Sequence, residues 1–186
     1  MSDHFLYHTS DIGVKFFTQK EFGDNFIAWF SDREVCQFSL RDIFPFSLRA
    51  CESFLNTHSS MNDAMAFSVY HLEDDVHLGN IYLHDIQWIH RSAKVYFFFG
   101  EKSYWSQGFA ETAACLIMRH AFEVLNLHRL SCSVVDTNDA MKRLADKLGF
   151  DEEGRRVQAL FLNGEYVDVI EYGLLAADWQ PSLFSE

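Results

Sequence analysis

One mixed α/β domain is the fold class this sequence predicts, and three observations predict it. Strand-like apolar runs crowd the middle and the end of the chain, helical patterns fall before and between them, and the turns joining the central runs are short enough for hairpins. The order reads β-α-α-β-β-β-α-β-α-β-β, with a helix crossing over between consecutive central strands. A length of 186 residues suits a single domain over 1–186 with a real core. No repeat, low-complexity tract or linker interrupts it.

Each element has its own warrant. "VKFFT" (14–18) reads as the first strand. "QKEFGDNFIAWFSD" then places Phe22, Phe26, Trp29 and Phe30 at helical spacing, although Gly23 weakens its first turn. "SLRACESFLNTHSS" (47–60) offers a second helix, capped by Ser47 after Pro45. The runs 65–73, 76–89 and 92–100 are strands. A helix over Phe109–Leu125 carries a stripe of small and aliphatic residues from Ala110 to Val124. "HRLSCSVVD" (128–136) is a strand, and 138–149 a short helix closed by Gly149. "RVQALFL" and "YVDVIEYGLL" close the chain as a hairpin around "NGE".

Composition excludes several functions. Fifteen basic against twenty-seven acidic residues give a formal charge of −12, which disfavours nucleic acid and suits a cationic substrate. The four cysteines form no CxxC pair, the start "MSDHFLYHTSD" is not secretory, and no apolar run is long enough for a membrane. A cytoplasmic protein with free thiols is expected. The His residues show no metal spacing, so no metal is expected. Nineteen Phe, seven Tyr and four Trp call for an aromatic core, an aromatic pocket or a homodimer interface.

The chemistry concentrates in "KVYFFFGEKSYWSQGFAETA" (94–113), where Gly100 and Gly108 stand between the most strand-like run and the best helix. A helix that starts where a sheet strand ends points its first unpaired N–H groups and its positive dipole end out of the sheet edge. Gly100 breaks the strand, and Gly108, lacking a Cβ, lets an anion approach those amides.

"WSQGFA" resembles the acyl-CoA loop [Q/R]xxGx[G/A] of the GNAT superfamily of N-acetyltransferases. With "WFSDREVCQF", "NLHRL", "VVDTNDAMKRLADKLGFDEEG" and "LFLNGEYVDVIEYGLLAADW", the chain is similar to the ribosomal-protein (RimJ/RimL-type) branch and the related spermidine acetyltransferases. The resemblance implies the acyl-CoA N-acyltransferase fold, a mostly antiparallel twisted sheet flanked by helices with one strand pair splayed for the cofactor. It implies acetyl-CoA as co-substrate, with main chain at Phe97, Phe98 and Phe99 pairing with the pantetheine arm. The pyrophosphate would rest on amides of Trp105, Ser106, Gln107, Gly108, Phe109 and Ala110, and Asn138 would hold the pantetheine end. Direct transfer to a primary amine, without an acyl-enzyme, is the implied reaction. The acceptor would be a protein or peptide N-terminus, a polyamine or other small amine, or an amino sugar.

Three positions depart from the family. Met141 stands where ribosomal-branch relatives place a general-acid Ser, Ala145 where many others place Tyr, and Lys94 where an acid is common. Tyr96, Ser133 and Tyr104 are substitute proton donors, with Tyr96 and Ser133 the two catalytic candidates. Asp85, Glu101 and His84 are candidate acceptors through water. A thiol of pKa about 8.5 can leave partly unaided, so loss of the acid need not abolish turnover. A non-catalytic acyl-CoA-binding or sensing module is the alternative reading of Met141 and Ala145.

Overall fold

The computed structural model describes residues 5–39 and 63–180. The helix expected over 47–60, and Cys51 with it, lies outside the described residues. Eight strands make one sheet: β1 (Tyr7–His8), β2 (Ile12–Phe16), β3 (Met65–His71), β4 (Val76–Gln87), β5 (Ser92–Phe99), β6 (Arg129–Val135), β7 (Asp151–Leu162) and β8 (Glu165–Leu175). Their order across the sheet is β1-β2-β3-β4-β5-β6-β8-β7. Every neighbouring pair is antiparallel except β5 with β6, the pair joined by the crossover helix. That agrees with the expected mixed α/β sheet.

The long helix expected over 19–32 is instead two short pieces, with a third beyond it. Thr18 caps a 3₁₀ turn over Gln19–Glu21 by accepting from Lys20 N–H, and Glu21 reaches back to the Thr18 N–H at 2.6 Å in a capping box. Gly23 is extended, and α1 (Asp24–Trp29) starts beyond it. Asp32 is extended in turn, and its carboxylate accepts from Glu34 N–H to open α2 (Arg33–Cys36). The crossover helix α3 (Phe109–Arg119) ends in a π turn over His120–Val124, and α4 (Asp139–Lys147) follows β6.

Period-2 alternation divides the sheet's side chains between two faces. Ile12, Val14, Phe67, Ile81, Val95 and Leu130 pack against Ile117 and Met118 of α3 and Ala145 of α4. The opposite face holds a separate aromatic cluster of Phe17, Phe26, Trp29, Phe30, Tyr82 and Phe98. Phe30 stacks on Phe98 with ring centroids 5.1 Å apart, and Phe26 meets Phe30 edge-on at 5.0 Å. Burying each such ring contributes about 1.5–3 kcal/mol, so much of the aromatic excess serves to seat α1 on the sheet.

Trp29 also explains Gly100. A Cβ built at residue 100 would lie 1.9 Å from Cδ2 of the indole, so the indole occupies the space a side chain would need. This glycine ends β5 against a packed ring.

Candidate active site

The site begins where β5 and β6 part. They pair only at Ser92↔Arg129, Ala93↔Leu130 and Lys94↔Ser131. Beyond that, β5 stays with β4 as far as Gly79↔Phe99, and β6 stays with β8 as far as Val135↔Val169. A wedge therefore opens between them. Gly100 donates to Leu78 C=O at 3.0 Å, and Phe98 and Tyr96 lie in register with Asn80 and Tyr82. Antiparallel alternation thus turns the main chain of Tyr96 and Phe98 toward β4, and that of Val95, Phe97 and Phe99 into the wedge. Of the three Phe residues expected to offer main chain, Phe97 and Phe99 do so. Phe98 is engaged with β4, and its ring lies in the aromatic cluster. The Phe99 carbonyl already accepts from the Trp105 indole at 3.1 Å.

The loop after β5 folds as a 3₁₀ turn over Lys102–Tyr104. Trp105 N–H, one of the expected amides, donates to Lys102 C=O at 3.1 Å. Ser106 (φ 62°) and Gly108 (φ 87°) are left-handed. Such reversals of handedness turn successive N–H groups toward one side, a concavity that suits anions. Among the described residues, no hydrogen bond engages the N–H groups of residues 106–111, and Gly108 supplies no side-chain cap to α3. The first bond of the helix runs from Thr112 N–H to Gly108 C=O at 3.1 Å. A Cβ at residue 108 would meet nothing within 4 Å, so this glycine is required by its backbone angle and not by crowding. The eleven-residue α3 brings its positive dipole end to the same place. Glu111, in its first turn, is tied to Lys147 of α4 at 2.8 Å, and Gln107 Nε2 donates to Ser103 C=O at 2.8 Å.

The candidate proton carriers separate cleanly. Continuing the β5–β6 register past Lys94↔Ser131 brings Tyr96 and Ser133 to matching positions on opposite lips of the wedge, on the face that carries the aromatic cluster. Ser133 Oγ donates to Glu171 Oε2 at 2.6 Å, and Arg156 Nε donates to Oε1 of the same carboxylate at 2.5 Å. Sequence reasoning missed Glu171. Its signal is one carboxylate inside the apolar run "VIEYGLL", at a position that alternates away from the core. The other candidates are committed elsewhere. Tyr104 O–H donates to Asp74 at 2.6 Å, and that bond pushes its pKa up, which makes it a poorer acid. Asp85 pairs with Lys94 at 2.7 Å, toward the closed end of the wedge, and Glu101 accepts from Ser103.

Asn138 caps α4, its side chain accepting from Met141 N–H at 3.1 Å. Met141 is half-buried against the core, and Ala145 is buried. Burial pushes the Cys115 thiol up to about 11 and that of Cys132 up to about 12. Both therefore stay protonated at neutral pH and are poor nucleophiles.

Comparisons with known proteins agree with this geometry. A family model described as acetyltransferase (GNAT) domain matches residues 14–151. Spermidine N(1)-acetyltransferase of Vibrio cholerae serotype O1 is 32% identical over 118 residues, which cover 63% of this chain and 67% of that protein. A putative ribosomal N-acetyltransferase of Bacillus subtilis is 28% identical over 102 residues, 55% of each chain, so this chain spans about half its length. A crystal structure of the Vibrio cholerae spermidine N-acetyltransferase in complex with CoA and spermine superposes with a TM-score of 0.81 at 25% identity. That match covers 91% of this chain and 98% of the other.

Proposed function

The chain belongs to the GNAT acetyltransferase family, and on that premise we propose that it transfers an acetyl group from acetyl-CoA to a primary amine by direct attack in a ternary complex. One observation carries the reading: the wedge past Lys94 and Ser131 leads to the unpaired amides of residues 106–111. Phe97 and Phe99 main chain would receive the pantetheine arm, and the nest from Ser106 to Glu111 the pyrophosphate, with Ala110 adding little bulk. Asn138 Nδ2, left over from capping, would face the pantetheine end. A related solved enzyme holds CoA together with spermine.

An alkyl ammonium of pKa about 10 must be deprotonated before it attacks the thioester carbon. The carbonyl oxygen then becomes an oxyanion, which a wedge-facing N–H such as that of Phe97 would stabilise. The carbon–sulfur bond breaks and the electron pair leaves on sulfur. Direct transfer suits the protonated state of Cys115 and Cys132, since neither offers a thiolate to carry the acetyl group. Among the described residues, Cys36, Cys115 and Cys132 are in no disulfide, which supports a reducing, cytoplasmic setting. Among the described residues no helix is long and apolar enough to cross a membrane.

The acceptor we favour is a small cationic amine of the polyamine class, ahead of a peptide N-terminus, because the −12 formal charge steers cations. Self-association through the exposed hairpin residues Val157, Phe161 and Tyr166 belongs to the same proposal, and sedimentation at micromolar protein tests it. Thiol release from acetyl-CoA is the test of function, run across polyamines, peptides with free N-termini and amino sugars. Release with a polyamine is expected. CoA binding without release for any amine would instead favour the non-catalytic module, the reading that Met141 and Ala145 motivate.

A further inference from the structure

We propose that Ser133 and Glu171 form the route by which the attacking amine loses its proton, an inference that rests on the transfer reading above. Ser133 is the next residue of its face beyond the last β5–β6 pair, so it stands at the narrow end of the wedge opposite Tyr96. Ser133 Oγ spends its single proton on Glu171 Oε2 at 2.6 Å. A hydroxyl has one donor and two acceptor lone pairs, so with its proton committed it presents lone pairs to the wedge. It is therefore built to accept an N–H. This reverses the role of proton donor expected for Ser133 from the sequence.

Glu171 is half-buried in the central part of β8, directly across from Ser133 in the ladder. Arg156 from β7 fixes Oε1 at 2.5 Å and leaves Oε2 to the serine. Other charged groups of the neighbouring strands are matched among themselves: Arg129 of β6 with Glu153 of β7, and Lys94 of β5 with Asp85 of β4. The Cys132 thiol, next to Ser133 in sequence, is no competing base. Burial and then the Glu171 charge hold it up near 12.

The step balances. The neutral amine nitrogen bonds to the thioester carbon, and its N–H becomes far more acidic as nitrogen gains positive charge. That proton passes to Ser133 Oγ while the serine's own proton passes to Glu171 Oε2. The carbon–sulfur bond breaks, the electron pair stays on sulfur, and the products are an amide, a CoA thiolate and a protonated Glu171. Water later exchanges the proton from carboxyl to thiolate.

The test compares E171Q, E171D, S133A and S133T by thiol release with the best amine of the panel, with CoA affinity measured by calorimetry on each. Removing a general base typically costs about 10²–10⁴-fold. E171Q and S133A should lose kcat on that scale while binding CoA within a few-fold of wild type. The acidic limb of the pH profile of kcat should vanish in E171Q. E171D and S133T should recover much of the rate, and E171D the limb. Wild-type turnover that E171Q leaves within threefold, limb included, overturns this step alone. Wild-type protein that binds CoA yet releases no thiol with any amine overturns both the step and the transfer reading.

Discussion

Gly108→Ala is the substitution whose outcome the structure fixes most closely. The residue sits at φ 87°, ψ −8°, just ahead of α3. A Cβ there would meet no atom within 4 Å, so the substitution adds no packing penalty. What remains is the cost of holding an L-residue in the left-handed region, about 1–2 kcal/mol. For a chain of 186 residues, each kcal/mol moves Tm by about 2–4 °C, so Ala should lower Tm by about 2–8 °C. Asn tolerates this region better than other residues with a Cβ, so Gly108→Asn should cost less than half as much. Thermal melts of the three proteins, followed by circular dichroism without ligand, give both numbers. An Ala variant as stable as wild type would mean that the turn is not left-handed. Equal losses for Ala and Asn would mean that space, not backbone conformation, selects glycine.

Gly100→Ala should fail for the opposite reason, since its Cβ would meet the Trp29 indole at 1.9 Å. Overpacking of this kind costs about 1–3 kcal/mol or more, and the loss should largely disappear in a Trp29→Ala background. A double-mutant cycle by urea unfolding should return a coupling above about 1 kcal/mol, and an additive result would contradict the contact. Asn138→Ala removes the cap bond to Met141 N–H and should cost about 1 kcal/mol, measured in the same unfolding assay. His77 packs between Tyr70 and Trp29, with ring centroids 5.0 Å away on either side, and burial lowers its pKa from 6.5 to about 4. The unfolded chain therefore binds a proton between those values that the folded chain refuses. Stability contributed by the neutral ring is complete above pH 6.5 and is lost as pH falls toward 4, by up to about 3 kcal/mol. Unfolding free energies across that window should slope accordingly, and His77→Gln should flatten the slope.

Much of the frame was legible because apolar periodicity reports directly on burial. The central strands show as apolar runs, β4 with both faces buried from Leu78 to Leu83, and the crossover helix shows as an apolar stripe. What escaped shows no such contrast. The two residues of β1 form a strand only by pairing with the outer edge of β2, which no local pattern signals. The first turn of β7, "DEEGR", is charged because it lies at the sheet edge and is largely exposed, yet its main chain pairs with β8. The single helix expected over 19–32 is divided at Phe22 and the extended Gly23, the residue that weakened its first turn, and α2 beyond it starts from an Asp32 cap that a count of apolar spacings passes over. At the site, Gly108 and the amides around it were readable from a glycine before a helix, but the left-handed conformation of Ser106 was not. That Trp105 N–H bonds to Lys102 C=O and that Phe98 main chain faces β4 was not readable either, because hydrogen-bond direction follows from turn geometry and register and not from residue type. Glu171 meets Ser133 only through the β6–β8 ladder, across 38 residues of chain.

The central claim is that main-chain amides of residues 106–111 grip the diphosphate of CoA, and amide chemical shifts report on those groups one by one. Labelled protein should be titrated with CoA and, separately, with pantetheine, which has the arm but no phosphates. Large shifts from Ser106 to Glu111 are expected with CoA alone, while both ligands should move Phe97 and Phe99. Amides at 106–111 that stay still under saturating CoA, or that respond equally to pantetheine, would contradict the account.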